Sequence, residues 1–207
     1  MILADGLLGQ MMEPIVLPEP TEPDLIDKPW ALTGHGNARP HNIINSLALE
    51  PQVLEDIIVL RHRRYEQVKA SEQRAECYRC EDAQITVVAY GATARVARSA
   101  VNKARAEGIA AGLIRPITLW PYPEVYINQQ IDISTDFLVS EMSMGQMVED
   151  VRLVVNGRRP VHFLGHTGGM TPTPEELTEA IRRIAAGQHI DLVPFQTRLS
   201  AQEGVRS

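Results

Sequence analysis

Residues 137–174 read FLVSEMSMGQMVEDVRLVVNGRRPVHFLGHTGGMTPTP. An apolar run, residues 137–140, is followed by a Met-rich turn and then by an amphipathic segment, residues 147–155, that ends before Gly157. A second apolar run, residues 161–164, leads into a Gly-rich loop. This strand–helix–strand order is typical of a parallel sheet, because parallel neighbours need a crossover connection.

A helix start is encoded at the end of the same stretch. Thr173 is the predicted N-cap, Pro174 occupies the first helical position and Glu176 completes a capping box. Gly187 lies just past the predicted end. Three apolar residues at helical spacing form the predicted inward face: Leu177, Ile181 and Ile184.

Similar units precede this stretch. Residues 85–90 are predicted to form a β-branched strand, residues 93–107 a helix that Gly108 stops, and residues 113–114 a further strand. A long helix is predicted over residues 50–76. The sequence therefore predicts a three-layer α/β domain over residues 83–207, with a mostly parallel sheet covered on both faces.

The amino-terminal part has a different composition. Residues 1–4 are predicted to be a buried strand that leads into a Gly-containing turn, and residues 14–40 contain six of the fourteen prolines. We expect residues 1–45 to be the end of a truncated domain plus a linker, residues 46–82 a connecting helix and residues 83–207 the α/β domain. Met1 is then an internal methionine of a longer subunit.

Composition excludes several classes of protein. The net charge of -6 argues against nucleic-acid binding, since phosphate binders carry a basic excess. No apolar run approaches the length of a membrane span, and the start lacks the features of a signal peptide. With two cysteines in the chain, no disulfide framework is indicated, so the cytoplasm is the predicted compartment.

Six strings are more specific than any periodicity requires. They cover residues 5–14 (DGLLGQMMEP), 28–30 (KPW), 88–95 (VAYGATAR), 112–121 (GLIRPITLWP), 141–152 (EMSMGQMVEDVR) and 157–161 (GRRPV). Together they resemble the α subunit of the thiamine diphosphate-dependent 2-oxoacid:ferredoxin oxidoreductases, most of all the branched-chain, 3-methyl-2-oxobutanoate type.

The resemblance implies a fold like the carboxy-terminal domain of transketolase. It also implies oxidative decarboxylation of 3-methyl-2-oxobutanoate to the acyl-CoA, with coenzyme A as cosubstrate and ferredoxin as electron acceptor. Thiamine diphosphate and magnesium would be held mainly by a β subunit and by a pyrimidine domain that is missing from this chain. Residues 1–45 would be the end of that domain plus a Pro-rich linker. A γ subunit and subunits that carry iron-sulfur clusters would complete the enzyme, so the isolated chain is expected to be inactive.

Gly9, Gln10 and Met11 are the residues that the resemblance brings near the shared thiamine site. No catalytic residue and no metal ligand is predicted within this chain. Residues 145–149 (GQMVE) echo residues 9–13 (GQMME), and both follow a predicted buried strand. The simpler interpretation is two similar turns packed by flexible Met side chains. In the alternative, the first turn borders the active site shared with a partner subunit and the second helps to fix the domain interface.

Other candidates are weaker. Cys77 and Cys80 have the spacing of half a zinc site, which leaves incidental, redox and metal roles open. His162 and His166 lack a carboxylate nearby in sequence, so a metal site is not predicted. Residues 90–93 favour helix capping over nucleotide binding. A run of three arginines is read as a solvated helix face, with coenzyme A phosphates as a second possibility: Arg61, Arg63 and Arg64.

Two other functions are compatible with these patterns. The chain would then be a noncatalytic assembly module that presents an interface, or the carboxy-terminal domain of another transketolase-like thiamine enzyme. The second of these shares the fold but lacks the string at residues 141–152.

Overall fold

A computed structural model of the chain describes residues 3–12, 14–21 and 26–192. Contacts divide it into two units. The first combines the described residues up to Gln10 with those from Glu66 onward, and the second is Met11–Tyr65. No described helix is long and apolar enough to cross a membrane.

The first unit is built on a six-stranded sheet with the order β1-β3-β2-β4-β5-β6. The strand β1 is an antiparallel edge strand, and all other neighbours are parallel. This confirms the predicted mostly parallel sheet. The strands are β1 (Ala75–Tyr78), β2 (Ile85–Val88), β3 (Ala111–Pro116), β4 (Asp136–Glu141), β5 (Val161–Gly165) and β6 (Asp191–Leu192).

Helices cover both faces of the sheet, as predicted. The helices are α1 (Gly6–Gln10), α2 (Pro51–Ser71), α3 (Gly91–Ala106), α4 (Glu124–Ile131), α5 (Met147–Val155) and α6 (Pro174–Ala185). Because successive strand residues point to opposite faces, Val87 packs in the core with α3 and α6, whereas Val88 packs with α4 and α5. Both valines are fully buried.

The start of α6 is as the sequence predicts. The Thr173 side chain accepts a hydrogen bond from the Glu176 backbone N–H, and the Glu176 carboxylate accepts one from the Thr173 backbone N–H. Pro174 is the first residue of the helix, and Leu177, Ile181 and Ile184 are buried. This helix is confirmed because its signals are local.

Three local predictions are wrong. The helix predicted to run to residue 76 ends at Ser71, because residues 75–78 pair with β3 instead. The predicted turn at residues 5–10 is the short helix α1. The strand predicted at residues 1–4 falls partly outside the described residues, and its described members, Leu3 and Ala4, belong to no strand. The elements β1, α4 and β6 were not predicted.

The order of the strands defines a switch point. After β2 the chain passes to β3 on one side, whereas after β4 it passes to β5 on the other side, and β2 and β4 are neighbours. In open parallel sheets, ligands bind outside the carboxyl ends of the strands at such a point. The residues that follow β2 and β4 therefore line the natural site.

Close packing at Gly112 in β3 gives a test of the fold. A Cβ at this position would lie 2.6 Å from the carbonyl oxygen of Arg79 and 2.7 Å from Cβ of Ala83. We expect Gly112→Ala to lower the free energy of unfolding by about 1–3 kcal/mol, because neighbouring backbone must shift. The matched control is Gly6→Ala, where nothing lies within 4 Å. Urea unfolding with equal midpoints for both variants would contradict this packing.

Candidate functional site

Glu141 ends β4 with a carboxylate that is 1% exposed. Its Oε1 accepts hydrogen bonds from the backbone N–H groups of Gln146 and Val148, each at 3.1 Å, and its Oε2 accepts one from Met147 at 3.0 Å. These donors belong to the start of α5, whose N-cap residue makes no side-chain cap of its own. Glu141 therefore caps α5 from a distance, with a negative charge at the positive end of the helix.

The Met-rich turn between Glu141 and α5 is held by further contacts. Ser143 Oγ donates to Glu141 Oε2 at 3.0 Å and accepts from the Gly145 backbone N–H at 3.1 Å. Gly165, at the end of β5, leaves room for the turn, since a Cβ there would lie 2.7 Å from the carbonyl oxygen of Ser143. The turn is therefore a rigid loop at the carboxyl edge of the sheet.

Three titratable side chains from different elements surround this carboxylate. Burial raises the pKa of Tyr90, which follows β2, and the Glu141 charge adds to the rise. Burial also raises the pKa of Tyr122, with smaller contributions from Asp150 and Glu141. The pKa of Asp150 is raised by burial and then by Glu141, with smaller effects from other carboxylates. The two phenols thus stay protonated beside a buried charge.

Two buried hydroxyls at this end of the sheet are unusual. Tyr122 Oη and Ser140 Oγ have no hydrogen-bond partner among the residues that the structure describes. Ser140 directly precedes Glu141 in β4, so its side chain points to the opposite face of the sheet, whereas Tyr122 lies within electrostatic range of the Glu141 charge. Polar groups of this kind are costly in a protein interior.

A cleft of about 490 Å³ opens at the same edge. Lys69 in its lining is paired with Glu66 at 2.9 Å. With three carboxylates and one lysine among its lining residues, the cleft favours cationic or neutral groups over phosphates. The lining residues are Glu66, Lys69, Ala70, Gln73, Leu119, Trp120, Pro121, Tyr122, Glu124 and Asp150.

The short helix α1 lies beside this edge. It packs against α3, and Leu8 Cδ1 lies 3.7 Å from the position that a Cβ of Gly91 would take. Gly91 follows Tyr90 and begins α3 in a left-handed conformation, with φ of 58°. Gly9 and Gln10 are part of α1, whereas Met11 belongs to the unit Met11–Tyr65.

The two candidate histidines, His162 and His166, lie at opposite ends of β5. His162 is 3% exposed, its Nδ1 accepts from the Ile190 backbone N–H at 3.0 Å, and its Nε2 lies 3.0 Å from Asp136 Oδ1. Since Nδ1 accepts, Nε2 carries the proton and donates to Asp136. His166 Nε2 lies 3.7 Å from Glu176 Oε1 after the carboxyl end of the strand. The two rings therefore cannot share one metal ion.

The remaining candidates lie on different elements of the chain. Residues 90–93 begin α3, and Tyr90 as N-cap makes no side-chain hydrogen bond to the helix. The three arginines lie exposed on α2, within the unit Met11–Tyr65: Arg61, Arg63 and Arg64. Cys77 is exposed and Cys80 is buried, and both are free thiols.

Sequence reasoning missed Glu141 as the centre of this site. A signal was available, because a glutamate directly follows an apolar strand and the next helix starts without Ser, Thr, Asp or Asn at its N-cap. No such local signal indicated that Tyr90 and Tyr122 lie near Glu141. Their proximity to it depends on the packing of elements that are distant in sequence.

The Glu141 cap yields a direct stability prediction. Glu141→Gln should lower the free energy of unfolding by about 2–3 kcal/mol, because one carboxylate oxygen becomes an NH₂ group that faces buried N–H donors. The matched control is Glu149→Gln, an exposed residue in the first turn of the same helix. Denaturant unfolding of both variants is the measurement. Similar stability of the two would contradict the capping role.

The raised pKa of Asp150 predicts a pH dependence. The folded chain binds this proton more tightly than the unfolded chain, so stability falls as the pH rises through the window above the ordinary Asp pKa. Asp150→Asn removes the effect. Relative to the unmodified chain, this variant should therefore gain stability as the pH rises above the ordinary Asp pKa of about 4. Urea unfolding at a series of pH values above about 4 tests this expectation, and a constant or falling difference in stability would contradict it.

Comparison with known proteins identifies relatives of the chain. Residues 83–177 match the family described as pyruvate:ferredoxin oxidoreductase core domain II. Ketoisovalerate oxidoreductase subunit VorB of Methanothermobacter thermautotrophicus is 40% identical over 184 residues, which cover 89% of this chain and 52% of that protein. The 2-oxoglutarate synthase subunit KorA of Methanothermobacter marburgensis is 42% identical over 101 residues, 49% of this chain and 27% of that protein.

A solved structure has the same fold. The 2-oxoglutarate:ferredoxin oxidoreductase from Magnetococcus marinus, with 2-oxoglutarate, coenzyme A and succinyl-CoA bound, matches with a TM-score of 0.54 at 20% identity. The match covers 66% of this chain and 24% of that chain, and it shows the fold alone. The chain spans about half the length of the VorB proteins that it matches. The chain is therefore similar to subunits of 2-oxoacid oxidoreductases over most of its length, and its residues 83–177 match core domain II of the pyruvate:ferredoxin oxidoreductases.

Proposed function

We propose that the chain is part of the α subunit of an enzyme that oxidatively decarboxylates a branched-chain 2-oxoacid. The substrate is 3-methyl-2-oxobutanoate, the product is the acyl-CoA and ferredoxin accepts the electrons. In this proposal the chain works within a larger assembly and is inactive in isolation. Its role is to contribute the α/β domain and one border of the active site.

The degree of similarity over nearly the whole chain is the observation that supports the substrate. The match to VorB, a ketoisovalerate oxidoreductase subunit, covers 89% of this chain at 40% identity. A match to the 2-oxoglutarate synthase subunit KorA of Archaeoglobus fulgidus covers a similar 87% of this chain, but at 25% identity. Over spans of similar length the chain is therefore more similar to VorB, which favours the branched-chain substrate.

We place the shared thiamine site beside α1, with Gly9, Gln10 and Met11 at its border. Supporting this, α1 packs against α3 at the carboxyl edge of the sheet, where ligands of parallel sheets bind. Gln10 is exposed on α1, so its amide is available to a cofactor or partner. When bound, thiamine diphosphate supplies the carbanion stabilisation that decarboxylation needs.

The other cofactors are proposed to lie on other subunits or domains. Among the described residues no cluster of three or more His, Cys, Asp or Glu is able to hold a metal ion, and we assign no magnesium ligand to these residues. The acidic cleft at residues 119–124 does not suit a diphosphate either. Magnesium and thiamine diphosphate are assigned mainly to a β subunit and an upstream domain, and iron-sulfur clusters to further subunits.

Exposed apolar side chains support the proposed partners, which are the β, γ and cluster-bearing subunits together with ferredoxin. Within Met11–Tyr65, several large apolar side chains are mostly exposed, beyond what a free surface usually carries. The most exposed are Met12, Ile15, Val16, Leu17, Ile43 and Leu49. The compartment remains a prediction from the cysteine content, namely the cytoplasm.

The test is substrate preference of the reconstituted enzyme. The complete α subunit that carries this chain is assembled with the β, γ and cluster-bearing subunits, and coenzyme A-dependent ferredoxin reduction is followed. We expect the highest kcat/KM with 3-methyl-2-oxobutanoate, compared with pyruvate and 2-oxoglutarate. Some overlap is expected, since a pocket discriminates one methylene by only about 1–3 kcal/mol.

The outcomes separate the alternatives. Preference for 2-oxoglutarate would contradict the branched-chain substrate, and inactivity with all three oxoacids would favour the noncatalytic assembly module. In the same complex, Gln10→Ala should lower kcat/KM, because it removes an amide at the proposed thiamine border. Gln188→Ala, in the loop after α6, is the matched control and should leave activity unchanged.

A further inference from the structure

Helix α3 begins without a side-chain cap at the carboxyl edge of the sheet. Its N-cap residue, Tyr90, makes no side-chain hydrogen bond to the helix, and the N–H of Ala94 is the first to bond within it, to the Tyr90 carbonyl oxygen at 3.3 Å. The N–H groups of Gly91, Ala92 and Thr93 therefore have no acceptor inside the helix. Ala92 and Thr93 are buried, and Gly91 is partly buried. By contrast, carboxylate and hydroxyl groups of the chain cap the starts of α5 and α6.

The Ser140 side chain points toward this helix start. Val88 of β2 pairs with Val139 of β4. The next residue along β4, Ser140, therefore lies beside Ala89, two positions before α3 begins. Because side chains alternate along a strand, Ser140 is on the same face of the sheet as Leu138, which packs in the core that α3 covers. The Ser140 hydroxyl is therefore directed from β4 toward the first turn of α3.

The hydroxyl and the helix start need the same kind of ligand. Ser140 is fully buried, and its Oγ has no hydrogen-bond partner among the residues that the structure describes. One O–H and the first N–H groups of α3 thus converge at the end of two neighbouring strands. An oxyanion only accepts hydrogen bonds, so it satisfies all of these donors at once. The positive end of the helix dipole adds to the attraction.

The charge of Glu141 does not exclude an anion at this place. Glu141 follows Ser140 in β4, so its carboxylate lies on the opposite face of the sheet. There it accepts hydrogen bonds from the start of α5, which compensate its charge. Gly91 adds no side chain that would cover the start of α3, and Leu8 of α1, which lies beside it, is apolar and brings no competing charge.

We propose that the start of α3 and Ser140 form a binding site for a single phosphate group, taken as free inorganic phosphate or as a phosphate monoester. The phosphate oxygens accept hydrogen bonds from the backbone N–H groups of residues 91–93 and from the Ser140 hydroxyl. The site lies after β2 and beside β4, at the switch point where ligands of open parallel sheets bind. It goes beyond the proposed function and does not depend on which oxoacid the enzyme uses.

Amide chemical shifts locate the site directly. The 207-residue chain, labelled with nitrogen-15, is titrated with inorganic phosphate at constant pH and ionic strength. The amide signals of Gly91, Ala92 and Thr93 should shift together and reach saturation. A second titration uses phenyl phosphate, and the probe that shifts these signals tells whether the site takes the free ion, a monoester or both. Unchanged signals at all three amides with both probes would overturn the proposal, as would shifts confined to the arginine run of α2.

Ser140→Ala tests the contribution of the hydroxyl. This variant should bind phosphate about tenfold more weakly, because a hydrogen bond to a charged group is lost. In chloride buffer without phosphate it should be at least as stable to urea as the unmodified chain, since the hydroxyl that it removes is buried and unpaired. The matched control is Ser99→Ala, an exposed position on the same helix, which should keep the phosphate affinity of the unmodified chain.

Two results with these variants would contradict the site. Equal phosphate affinity of Ser140→Ala and Ser99→Ala would show that the hydroxyl does not contact the anion. Lower stability of Ser140→Ala in the absence of phosphate would show that the hydroxyl is bonded within the chain and is not directed at a ligand.

Discussion

The hydrogen bonding of the Glu141 carboxylate is the interaction on which the carboxyl edge of the sheet depends. A buried charge is tolerated here because three backbone N–H groups and the Ser143 hydroxyl donate to it. It fixes the loop after β4 and the start of α5. Burial raises the pKa values of Tyr90, Tyr122 and Asp150, and the Glu141 charge adds to each rise. One side chain thus sets the geometry of the edge and contributes to its electrostatics.

The position of this carboxylate follows from the topology. It lies at the carboxyl end of β4, next to β2, where the crossovers diverge and a crevice forms. Helix α1 lies beside the same edge through its contact with α3. The chain covers about half of the relatives it matches. We propose that this edge is the surface through which the domain meets the other parts of the proposed enzyme.

How much the sequence could predict depends on how local each signal is. The α6 capping box and the buried strands β2, β4 and β5 could be predicted because their signals lie in residues close together in sequence. The parallel sheet follows from the alternation of strands and helices along the chain. Strand β1 was missed because its residues continue a helical pattern and form a strand only by pairing with β3. The contact of His162 with Ile190 was equally hidden, since the two are 28 residues apart.

Hydrogen exchange, compared between the free chain and the assembled enzyme, tests most directly whether the carboxyl edge is the surface that contacts the other parts of the enzyme. The account predicts that assembly slows exchange at residues 6–10, at residues 90–93 and in the loop 143–145. Residues 160–162 and 188–190, at the opposite edge of the sheet, should exchange at unchanged rates. Slower exchange at the opposite edge, with the carboxyl edge unaffected, would contradict the account.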